Sequence, residues 1–175
     1  REIAERVAND NQIIGLSRGA SQTSADIDQQ LASLYQVNYS QQWASIVNSI
    51  IIKQADTDNA LSQQLKELGN LNSDFKTALT VIANNTKSIN TSNIKIANEF
   101  SSINEFMNTN NQYNYSKLET ISAQLSQYIN TIKNSSNPDL GYFNAARDYI
   151  NNDTKNPIVE LAQLEQNSPQ PIQRW

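Results

Sequence analysis

The sequence predicts an all-α fold, an elongated bundle of about seven helices organised around one long helix. Three observations carry that prediction. Apolar residues in every long segment recur at helical rather than alternating spacing. Four glycines and four prolines in 175 residues are too few for a turn-rich β-sandwich or a flexible linker. Ser, Thr, Asp and Asn stand just ahead of the apolar runs, where helix caps are needed. The chain is long enough for one domain with a core, and its 38% apolar content favours a thin or elongated body over a compact globule.

Taken in order, residues 2–14 carry Ile3, Val7, Ile13 and Ile14 at roughly helical spacing and stop at Gly15, which suits a helix end. A small polar connector, 17–24, leads to the long helix, with Thr23 or Ser24 as its cap. That helix is expected over 26–53, where Ile27, Leu31, Tyr35, Tyr39, Trp43, Val47 and Ile51 recur every fourth residue. Leu34, Ile46 and Ile50 widen the stripe, and the helix would span roughly 40 Å. Asp56 or Thr57 then caps a helix bearing Leu61, Leu65 and Leu68 and ending at Gly69. The short connection implies an antiparallel hairpin.

Ser73 caps the next helix, with Phe75, Ala78, Leu79 and Ile82 inward. Residues 87–112 read as an irregular arm or loop, within which Phe100, Ile103, Phe106 and Met107 return to helical spacing. Leu118, Ile121, Leu125, Tyr128 and Ile132 alternate by three and four, the seam of a helix that packs along another. Asn137-Pro138 and Asn156-Pro157 have the form of a cap followed by a first-turn proline, ahead of Leu140, Phe143, Tyr149 and of Ile158, Leu161, Leu164. Pro169 and Pro171 open a last segment that reaches Trp175. The organisation predicted is a single helical domain taken from a longer chain: 1–86, the arm at 87–112, a C-terminal helical part at 113–168, and the start of a further segment at 169–175.

No histidine or cysteine is present, so Ser-His and Cys-His nucleophile pairs and the usual zinc ligand sets are excluded. The nearest carboxylate pairs, Asp56 with Asp58 and Glu160 with Glu165, sit where helix starts and solvated faces account for them. The Gly15 to Ser21 stretch lacks the lysine and spacing of a P-loop. No cofactor and no enzymatic activity are expected. A net charge of −4 without clustered Lys or Arg gives no footprint for nucleic acid or an anionic membrane, and no run reaches the 18 or so apolar residues of a membrane span. The absence of cysteine suits a reducing cytosol and a periplasm equally. Asn and Gln supply about a quarter of the chain, so its several Asn-x-Ser/Thr triplets are expected by chance. Tyr35 and Tyr39, beside Trp43, read as aromatic core packing with hydroxyls reaching polar neighbours.

One larger pattern remains. Ile13-Ile14-Gly15, Leu34-Tyr35, Tyr39, Trp43 and Ile50 are followed by Leu65, Leu68, Ser73, Phe75, Leu79 and Asn85-Thr86. At the far end come Asn156-Pro157, Leu161 and the run Pro169-Gln170-Pro171-Ile172-Gln173-Arg174-Trp175. In this order and spacing the chain resembles the periplasmic helical region of the IcmF/TssM family of inner-membrane secretion-system proteins. It departs from the family at Ser73-Asp74, where members commonly have Ser-Pro, and across the arm, which shows no family pattern.

The resemblance implies a non-catalytic periplasmic stalk in a type VI or Dot/Icm type IVB secretion complex. It implies a DotU/TssL-like inner-membrane partner and an outer-membrane lipoprotein engaged through regions outside these residues. It is also compatible with a homo-oligomer in the full complex. The family signature would be Tyr35, Tyr39, Trp43, Ser73, Pro169, Pro171 and Trp175. A second reading comes from the residues alone: an adaptor that holds a partner helix in a groove beside Leu118, Ile121, Leu125, Tyr128 and Ile132. An exposed seam would favour that reading, and a buried one would count against it.

Overall fold

A computed structural model describes residues 24–175 of the chain. The helix expected over 2–14, its Gly15 stop, the connector up to residue 23 and the first residues of the family pattern lie outside the described residues. Among the described residues there are eight helices and no strand: α1 (Ser24–Ser49), α2 (Asp58–Leu68), α3 (Asp74–Thr86), α4 (Ile94–Phe106), α5 (Tyr115–Lys133), α6 (Pro138–Ile150), α7 (Pro157–Gln166) and α8 (Gln170–Gln173). The all-α bundle is as predicted.

Local chemistry sets most of the boundaries. Thr57, Ser73, Asn93, Asn114, Asn137 and Asn156 each accept a hydrogen bond from a first-turn backbone N–H of the helix they precede, which satisfies donors that have no intrahelical partner. Pro138 and Pro157 occupy the start of α6 and α7, where a missing N–H costs nothing. Helix α4 lies inside the stretch expected as an irregular arm. Asn93 caps it, and Phe100 and Ile103 bury against α3 together with Ile96 and Met107. The break that follows is real: Asn108 and Asn111 fold their side chains onto the N–H groups of Asn110 and Tyr113, the local turn chemistry that competes with helix.

Helix α1 ends at Ser49, four residues before the expected end, and its stripe is buried at Ile27 and at Val47 but exposed at Leu31 and Tyr35 between them. Val47 is fully buried, and Trp43, Ala44 and Ile50 pack with it against Ile82, Ala83, Phe100 and Ile103. Leu31, Leu34 and Tyr35 are exposed, Tyr35 by 66%. The spacing itself is the cause. Residues four apart advance about 40° around a helix of 3.6 residues per turn, so the series from Ile27 to Val47 swings through about 200°. A run of fours is a spiral, and one part of it faces the bundle.

The element packed on most sides is α5. It contacts α2, α6 and α7, and Tyr115, Leu118, Ile121, Leu125, Ile129 and Ile132 are all buried along it. Small residues let α2 approach closely. Ser62 and Ser126 share a 2.9 Å hydrogen bond, and Asn130 Nδ2 donates to Ser62 Oγ at 3.1 Å. Gly69 has φ −78°, so it is not needed as a left-handed stop. A Cβ there would lie 3.2 Å from the carbonyl oxygens of both Glu119 and Leu65, and the glycine serves that close approach. Two partly buried ion pairs cross the layers, Lys76 to Glu119 at 2.6 Å between α3 and α5 and Lys117 to Glu160 at 2.7 Å between α5 and α7.

Candidate functional site

The residues 169–175, expected to begin a further segment, fold back into the body and join three helices. Pro169, Pro171 and Ile172 are buried. Pro169 offers no side-chain cap to α8, and Glu99 of α4 supplies one instead, its Oε1 accepting from Gln170 N at 3.2 Å. Burial raises the Glu99 carboxyl above its usual pKa, while the Gln170 N–H, Arg174 and Lys95 pull it back. Arg174 reaches the end of α1, where Nη1 and Nη2 donate to the carbonyls of Asn48 and Val47 at 3.3 Å each. The Val47 carbonyl also accepts from the Ile50 N–H at 3.3 Å, and the guanidinium adds a charged donor at the negative pole of the helix, where carbonyls run out of intrahelical partners. Trp175 Nε1 donates to Gln64 Oε1 of α2 at 3.3 Å, and Gln64 in turn donates to the carbonyl of Lys53. The tail thus secures α1, α2 and α4.

The aromatic series of α1 forms a ladder rather than a core stripe. Tyr35 stacks on Tyr39 with ring centroids 5.7 Å apart, and Tyr39 meets Trp43 edge-on at 6.2 Å. Tyr39 also donates through its hydroxyl to the carbonyl of Asn85 on α3 at 3.3 Å. Tyr35, expected in the core, projects beyond the bundle because the spiral of fours has carried it off the packed face. Ser73 caps α3 by accepting from Lys76 N at 3.1 Å and shares a 2.9 Å hydrogen bond with the Tyr115 hydroxyl.

The predicted partner seam divides in two. Leu118 and Ile121 are sealed by Leu79, Phe106, Leu164 and Ile172 of the same chain, so that half is not a free groove, and the reason is that α3, α4, α7 and α8 already fill it. Leu125, Ile129 and Ile132 are buried too and Tyr128 is half-buried, so the seam is covered along its length; these four lie at the bottom of a groove of about 500 Å³ whose half-buried walls are Leu61, Ile158, Leu161 and Trp175. Its charged lining side chains are Asp58 and Glu165. The Tyr142 hydroxyl donates to Asp58 Oδ2, and that bond, with burial and the carboxylate charge, raises the tyrosine pKa.

The four carboxylates considered as acid/base pairs take separate places. Asp58 holds Tyr142, Glu160 pairs with Lys117, Glu165 stands at the groove mouth, and Asp56 precedes the Thr57 cap. Among the described residues no group of His, Cys, Asp or Glu is arranged to hold a metal, and no helix is long and apolar enough to cross a membrane.

The family description "IcmF-related: Intracellular multiplication and human macrophage-killing" matches residues 1–87. Over those residues the chain is similar to the IcmF-related family. The match takes in Tyr35, Tyr39, Trp43 and Ser73 and ends one residue beyond α3. The Pro169 to Trp175 signature lies outside it. That similarity, over just under half of the 175 residues, suggests an association with secretion systems. No curated protein and no solved structure shows a significant match.

Residues that sequence reasoning passed over carry much of this geometry. Glu99, Gln64 and Tyr115 act across long stretches of chain, and no local pattern marks them. Arg174 sat inside a recognised motif, and its signal was its type, a cation able to reach a helix C-terminus.

Proposed function

We propose that this chain is a non-catalytic structural module of a bacterial secretion-system membrane complex, a periplasmic scaffold in a type VI or Dot/Icm type IVB apparatus. The observation that carries the reading is the family match over residues 1–87. The helical body is consistent with it. Buried stripes, two cross-layer ion pairs and a tail that secures three helices resist relative movement of the elements, as a spacer under load requires. A DotU/TssL-like inner-membrane protein is the proposed neighbour, with an outer-membrane lipoprotein engaged elsewhere in the assembly.

The test is assembly. In cells whose copy of this protein lacks residues 24–175, solubilised secretion complexes should fall apart into smaller species while the remaining protein stays in the inner membrane. Complexes of undiminished size and undiminished secretion would overturn the reading.

A further inference from the structure

We propose that the groove floored by Leu125, Ile129 and Ile132 is a docking site for an amphipathic partner segment whose apolar anchors are flanked by lysine or arginine. At about 500 Å³ it falls within the roughly 300–1,000 Å³ of ligand-sized clefts. Helices α5 and α7 frame it, as in helix-in-groove recognition, where anchors spaced one turn apart enter an apolar trough. Charge selects the occupant. The charged side chains of the lining, Asp58 and Glu165, are both acidic, and Glu165 is exposed and takes part in none of the ion pairs found among the described residues. A basic flank gains from that rim and an acidic one is repelled. A second copy of this chain carries a net charge of −4 and would bring surplus negative charge to it. This inference goes beyond the scaffold reading, and the two fail separately, one on purified protein and the other in the cell envelope.

The probe is a fluorescein-labelled helical peptide with leucines at i, i+4 and i+7 flanked by lysines, titrated with the 175-residue chain and followed by anisotropy. Two further peptides replace its lysines by glutamate or its leucines by alanine. The lysine-leucine peptide should bind, weaken steeply with added salt, and lose about tenfold or more in affinity on Glu165→Lys. Both control peptides should bind at least about tenfold less tightly. Trp175→Ala, which removes a wall of the groove at the end of the chain, should weaken binding without loss of helical circular dichroism. No binding, equal binding of the lysine and glutamate peptides, or indifference to Glu165→Lys would overturn the proposal. So would self-association in sedimentation velocity that the peptide competes away, because it would assign the groove to a second copy.

Discussion

The Tyr115 hydroxyl serves two helices at once. It donates to the carbonyl of Leu68 at the end of α2 at 3.1 Å and shares a hydrogen bond with Ser73, the cap of α3. Its ring stands edge-on to Phe106 at 5.9 Å with the Lys76 ammonium 5.1 Å from its centre. Burial, reinforced by Glu119 and partly offset by Ser73, raises its pKa, so the proton it donates is retained through neutral pH. Tyr115→Phe leaves the packing in place and strands a buried carbonyl, and it should cost about 1–2 kcal/mol in urea unfolding with an unchanged slope. Glu99 makes the opposite case. Its folded pKa is raised above the usual 4.5, so the folded state binds that proton more readily than the unfolded chain and loses stability as pH rises through the folded value. Glu99→Gln keeps an acceptor for the Gln170 N–H and removes the charge. The variant should be at least as stable as the wild type at neutral pH, with any advantage shrinking as pH falls toward 4.5, a trend read from thermal melts across that range.

At the scale of elements, what the sequence made legible was local, and what it concealed was relational. Thr57, Ser73, Asn137 and Asn156 announced their helices because a cap and the run behind it are neighbours in the chain. Asn93 and Asn114 use the same chemistry but sit among so many asparagines that nothing local singles them out. The long stripe of α1 was visible in the spacing, yet its drift decided that Val47 is buried while Leu31 and Tyr35 are not. The groove was half legible, since the seam residues were named from their periodicity but the helices covering Leu118 and Ile121 were not. Arg174→Ala should remove the charged donor from the Val47 and Asn48 carbonyls and speed amide hydrogen exchange of the final turn of α1, with α5 unaffected. Gly141 lets α6 lie against α5, and a Cβ there would stand 2.7 Å from Ile132 Cγ2. That methyl belongs to a stiff β-branched side chain, so Gly141→Ala should destabilise by roughly 1–3 kcal/mol despite the better helix former, as thermal or urea unfolding would show.

For the molecule as a whole, the tail is the feature that converts a stack of helices into a single body. Residues that looked like the opening of another segment place Arg174 on α1, Gln170 on Glu99 of α4 and Trp175 on α2. Three elements separated widely in sequence are held by one short stretch, an arrangement suited to a part whose task is to keep distances fixed between other parts. That account requires the module to lie on the periplasmic face of the inner membrane. Gln63 is exposed on α2, and the sequence contains no cysteine, so Gln63→Cys provides one thiol in this region of the assembled protein. In intact cells with a permeabilised outer membrane, a membrane-impermeant maleimide should label that thiol. Labelling that occurs only after the inner membrane is broken would place α2 in the cytosol and contradict the account.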